Sequence, residues 1–137
     1  MVATRPLCPE PRGVTYDAAR DRLLFACQGG ELIELSPATG VATVTRLQRD
    51  LRDVVLLDGA PAVTTFRTAE VQPLTGPAGA VKTQSMMGTG GGVGTATVTI
   101  RPGVAWRTVA RQETGLVMVH QRQVVAESLP GSGPPPP

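Results

Sequence analysis

The sequence predicts an all-β chain built from repeated four-strand units, and three observations predict it. Short runs rich in Val, Leu, Ile and Thr recur along the chain, each about five residues long and bounded by turn residues. Gly and Pro number 16 and 13 among 137 residues, which suits many tight turns between short strands. No window sustains helical amphipathicity. The segment from Gln48 to Leu57 comes nearest, but Val54, Val55 and the adjoining Asp58-Gly59 favour a strand.

The first unit is expected over about 12–46. Its runs are Arg12 to Asp17, Arg22 to Cys27, Glu31 to Leu35 and Val41 to Thr45. Asp17 to Asp21 suits a hairpin loop, and Gly29-Gly30 supplies positive φ at little steric cost. Ser36-Pro37 and Gly40 punctuate the third connection.

A second unit is expected over about 51–84. Its runs are Asp53 to Leu57, Ala62 to Phe66, Glu70 to Leu74 and Ala80 to Gln84, with a hairpin signal at Asp58-Gly59 and a turn at 76–79. Laying Gly13-Val-Thr-Tyr16 over Asp53-Val-Val-Leu56 brings the other runs into line with small gaps. The offset, about 40 residues, is the length of one propeller blade.

A partial third unit is expected over about 95–129. It contains Thr95 to Ile100, Val104 to Val109, a turn at 112–115, Leu116 to His120 and Gln123 to Ala126. The Gly-rich stretch 86–94 reads as a flexible loop, and the Pro-rich tail 130–137 as disordered, because Pro lacks the N–H a strand ladder needs. The architecture expected is therefore a partial β-propeller of two to three four-stranded antiparallel blades.

Composition excludes several function classes. Charged residues make up 18% and the net charge is +2, with the basic residues scattered and all but Lys82 arginine. Nucleic-acid binders cluster such residues with aromatic stacking partners, so no nucleic-acid partner is expected. Aromatics are only 3%, so the core rests on aliphatic side chains. No apolar run approaches the ~18 residues of a membrane span, and the first residues have no apolar signal-peptide core.

The run Arg12-Gly-Val-Thr-Tyr-Asp-Ala-Ala-Arg-Asp-Arg-Leu-Leu-Phe-Ala-Cys27, followed by the turn Ser36-Pro-Ala-Thr-Gly40, resembles the repeats of YVTN-type bacterial β-propellers. Three stretches are similar to propeller segments of large secreted or cell-surface proteins from myxobacteria-like organisms. They are Cys8 to Gly13, Leu51 to Val55 with Phe66 to Glu70, and Val104 to Thr108 with Met118 to Arg122. The resemblance implies a periplasmic or extracellular setting. In that group the propeller often accompanies a c-type haem domain, which needs Cys-x-x-Cys-His. This chain lacks that motif, so a haem domain is expected only on another part of the protein, and no cofactor is expected here.

Cys8 and Cys27 are the only cysteines. They read either as a disulfide, fitting a non-cytosolic propeller, or as two free thiols with Cys27 a small core residue. Arg52 and Asp53, beside Arg49 and Asp50, stand where the second unit begins, a corner that lines the channel or its mouth in a propeller. They are candidates for ligand or partner contact, with inter-blade salt bridges as the plainer role. The flanking arginines favour salt bridges over proton transfer. Trp106 is expected to pack between blades, leaving Arg107 free to stack or pair. His120 is the last contact candidate, read more plainly as a strand-end ring bonded to backbone. No metal site is expected.

Gly88 to Gly94 fails as a phosphate loop, since Lys82 precedes the glycines and no helix follows. No serine sits in an ordered Gly-x-Ser-x-Gly elbow. The expected function is a non-enzymatic repeat module, a scaffold or binding part of a larger secreted or cell-surface, redox-linked protein. Its partners would be the remaining blades or another protein. The alternative is a fragment of a propeller-type hydrolase or lyase whose site needs further blades.

Overall fold

The computed structural model describes residues 4–74, 98–111 and 115–126. Among the described residues, all nine elements are β-strands, arranged in three antiparallel sheets. Sheet A contains β1 (Pro11–Asp17), β2 (Arg22–Cys27), β3 (Glu31–Leu35) and β4 (Ala42–Arg46), paired in chain order. Sheet B contains β5 (Leu51–Leu57), β6 (Ala60–Thr65) and β7 (Val71–Pro73), also in chain order. Sheet C is a hairpin of β8 (Val98–Arg111) and β9 (Gly115–Ala126).

The turns form where the sequence places them. Asp58 and Gly59 both have positive φ, at 49° and 77°, the backbone of a two-residue hairpin turn whose twist matches its strands. In the β1–β2 loop, Asp17 Oδ1 accepts hydrogen bonds from the Ala19 and Arg20 amides. Ser36 and Gly40 close the β3–β4 turn, where the Gly40 amide donates to the Ser36 carbonyl at 2.8 Å. Of the two glycines between β2 and β3, Gly30 carries the positive φ, at 98°. A Cβ there would also lie 2.8 Å from the Leu47 and Gln48 carbonyl oxygens.

The first two sheets share a register. In β1–β2, Pro11 pairs with Cys27 and Gly13 with Ala26, so Arg12 is the extra residue of a bulge. In β5–β6, Leu51 pairs with Thr65 and Asp53 with Thr64, so Arg52 is bulged in the same way. From there, Val14↔Phe25 and Tyr16↔Leu23 correspond to Val54↔Val63 and Leu56↔Pro61.

Sheet B is the middle layer. The buried core joins Leu24, Ala26 and Leu32 of sheet A to Leu51, Val54 and Val63 of sheet B. On the other face of sheet B, Asp53 meets β8. Accordingly β5 and β6 are buried along most of their length, while β4 is exposed at nearly every position. The sheets approach through their first strands: β5 lies against β1, β2 and β8.

The third unit differs from the short strands expected of it. Thr95 to Ile100 and Val104 to Val109 were separate runs, yet Val98–Arg111 is one strand. Likewise Leu116 to His120 continues unbroken through Ala126. Register shifts between Pro102 and Ala105, and between Ala105 and Arg107, absorb Pro102 and Gly103 without ending the ladder. Pro is tolerated because, among the described residues, neither strand of this hairpin has neighbours on both sides. The expected strand 80–84, the turn 76–79, the glycine stretch 86–94, the turn residues 112–114 and the tail 130–137 lie outside the described residues.

Candidate functional site

The bulges gather polar side chains at the starts of β1 and β5 and in the middle of β8. A bulge adds one residue to a strand and re-aims the side chain it carries. Arg12 and Arg52 thereby flank the ring of Phe66, their guanidinium carbons 5.2 and 5.6 Å from its centroid. Arg52 Nε also donates to the Trp106 carbonyl oxygen at 3.0 Å. Arg12 is 3.6 Å from Glu10.

Asp53 is the buried centre of this group, 4% exposed. Its Oδ2 accepts from the Thr108 amide at 2.8 Å, and its Oδ1 lies 3.8 Å from Arg107. Its own amide, displaced by the bulge, donates to Thr64 Oγ1. Burial raises the Asp53 pKa above the ordinary value of 3.8, and the Thr108 amide, Arg107 and Arg52 only partly offset it. Its flanking arginines therefore do not dominate its chemistry. Arg52 is turned to the Trp106 carbonyl, and the Arg107 side chain is largely exposed to water.

Arg52, Asp53 and Arg107 thus come together, and they join sheet B to sheet C. His120 stands apart, opposite Ala105 in the ladder, with its Nδ1 donating to the Gln121 carbonyl oxygen at 2.8 Å. It bonds backbone, as a strand-end ring would, but it lies in mid-strand. Trp106 is not packed between sheets: it is the bulged residue of β8 and is 50% exposed.

Beside the group is a cleft of about 380 Å³ lined by Glu10, Gln28, Glu31, Arg49, Asp50 and Arg67 among others. Each of its carboxylates has one oxygen engaged. Glu31 pairs with Arg46 at 2.9 Å, and Asp50 accepts from the Arg67 amide at 2.9 Å. Gln28 Oε1 and Glu31 Oε2 are buried without a hydrogen-bond partner among the described residues. Sequence reasoning missed Gln28, Glu31 and Phe66 here. The signal for two of them was positional: Gln28 and Phe66 each follow the second strand of a unit's first hairpin.

Cys8 and Cys27 are joined by a disulfide, with Cα atoms 6.4 Å apart. It ties the lead-in 4–10 to the end of β2, where the Gln28 amide also donates to the Glu10 carbonyl. Among the described residues no three His, Cys, Asp or Glu side chains are grouped to hold a metal, and no helix is long and apolar enough to cross a membrane. In comparisons with known proteins, no family model, no curated protein and no solved structure matches the chain.

Proposed function

We propose that the chain is a non-enzymatic module of propeller-type repeats, a scaffold or partner-binding part of a larger secreted or cell-surface protein. One observation carries this reading: the junction between successive sheets is made twice through the same acceptor position. The Asp50 amide donates to the Gln28 carbonyl just before β5, and the Ala105 amide, in the middle of β8 beside its bulge, donates to the Phe66 carbonyl. In each case the acceptor follows the second strand of the preceding sheet. The bulges at Arg12, Arg52 and Trp106 recur beside these junctions. Convergence of sheets through their first strands is what blades around an axis require.

The polar residues beside the bulges support a binding or scaffold role over catalysis. Asp53 is committed to the Thr108 amide and Arg107, and Arg52 to Phe66 and the Trp106 carbonyl. A general base must face its substrate, whereas Asp53 is buried between sheets B and C and Arg52 is a permanently charged donor. The disulfide suits an oxidising compartment, periplasmic or extracellular.

The test is a hydrolase and lyase panel on the purified, oxidised chain, read beside the Asp53→Asn and His120→Ala variants. Turnover at buffer level in all three is expected. Turnover in the native chain that is lost in either variant overturns the reading.

A further inference from the structure

We propose that the chain associates with further copies of itself head to tail, seating the exposed face of β8–β9 on the exposed face of sheet A. The inference rests on the repeat reading above and deepens it by naming the partner. Inside the molecule, Val54 and Val63 of sheet B pack on the face of sheet A that carries Leu24, Ala26 and Leu32, with Leu56 against the same cluster. By the shared register, Val14, Phe25 and Tyr16 occupy in sheet A the places that Val54, Val63 and Leu56 occupy in sheet B. Their counterparts are covered by a neighbouring sheet. Val14 and Tyr16 are 57% and 51% exposed.

The other end of the stack is the converse. Val55 follows Asp53 by two residues, so it shares the face of sheet B that meets β8, and it pairs with Ala62. Counting from the bulge at Trp106, the counterparts in sheet C are Val109 and its partner Val117. Val55 and Ala62 are buried, whereas Val109, Val117 and the neighbouring Val119 are exposed. One end therefore presents a face of the covered kind, and the other a face of the covering kind. Neither end is complementary to itself, so a copy-to-copy contact is heterologous, closing into a ring or running on as a series. Exposed apolar faces of this sort mark interaction surfaces.

The lead-in leaves the surface open where it is needed. It is fixed at the Cys27 end of β2 and at the β3–β4 turn, where Arg5 bonds the Gly40 carbonyl. Val14 and Tyr16 of β1 stay exposed, and it is β1 and β2 that β5 lies against within the chain.

The experiment is sedimentation of the oxidised chain over a wide concentration range, with Val14→Glu and Val119→Glu. Mass is expected to rise above 14.3 kDa with concentration. Each variant should weaken association at least tenfold, because each carries one defective end. An equimolar mixture of the two should give a capped dimer and nothing larger, since one sound head meets one sound tail. Both positions are exposed, and far-ultraviolet spectra confirm folding. If a variant unfolds, hydrogen exchange of the native chain decides, with β1 and β9 amides gaining protection as concentration rises. A chain monomeric throughout overturns the proposal, as does association lost in one variant alone or in neither. A monomer without turnover leaves the repeat reading standing, which the activity panel tests separately.

Discussion

Gly13 sits where β1 passes close to β5 at Asp53, and a side chain there has no room. A Cβ at this position would lie 2.6 Å from the Asp53 Cα, a backbone atom that cannot swing aside. Gly13→Ala should therefore destabilise the chain by about 1–3 kcal/mol, the usual cost of overpacking, read as a lower thermal midpoint. The neighbouring carboxylate gives a pH signature. Because burial raises the Asp53 pKa, its contribution to stability is fully present below 3.8 and is lost as pH rises through the folded-state value. Asn keeps an oxygen for the Thr108 amide and carries no charge. The midpoint of Asp53→Asn relative to native should climb from pH 3.8 upward and then level off; a flat difference would refute it. Asp17 runs the other way. Burial tends to raise its pKa, but the Arg20 side chain and the Arg20 and Ala19 amides outweigh burial and lower it below 3.8. Its contribution is present above 3.8 and is lost as pH falls through the folded value, so Asp17→Asn should cost stability at neutral pH and little in strong acid.

At the scale of elements, the disulfide and the turns fix most of the order. The bridge closes a separation of 19 residues, worth about 3 kcal/mol by loop-closure entropy. Replacing Cys8 and Cys27 together by Ser should lower the midpoint accordingly, and native chain treated with reductant should behave like that variant. The strands of sheets A and B were legible because their limits are written in local chemistry: Asp58-Gly59, Gly30 and Ser36 to Gly40 each demand a turn wherever they stand. The shared register was legible too, through Gly13 laid over Asp53. Sheet C was less so, since Pro102-Gly103 carries the same local signal as a break and only its pairing with the opposite strand turns it into a bulge. The candidate site was half legible. Arg52 and Asp53 are adjacent in sequence, but Phe66 and Thr108 reach them only through the stacking of sheets, which no local pattern encodes.

For the molecule as a whole, layering sets a gradient of stability. Sheet B is covered on both faces, by the Leu24, Ala26 and Leu32 core on one side and by β8 on the other. Opening β5–β6 must therefore expose both layers at once, which makes it equivalent to unfolding the chain. Sheet A is covered by sheet B on one face, and its last strand, β4, is exposed at Thr43, Val44, Thr45 and Arg46 and pairs, among the described residues, only with β3. Releasing β4 gives up one ladder and almost no buried apolar area, so it should open locally at a small cost. Hydrogen exchange read by mass spectrometry should show β4 exchanging first and the β5–β6 amides last, with β1 and β2 between them. The β5–β6 amides should slow or quicken together with the midpoint in Gly13→Ala, because their exchange needs the global event, while β4 should be indifferent to that substitution. A β4 as protected as β5, or β5–β6 amides that ignore Gly13→Ala, would mean that sheet B is not the keystone of the stack.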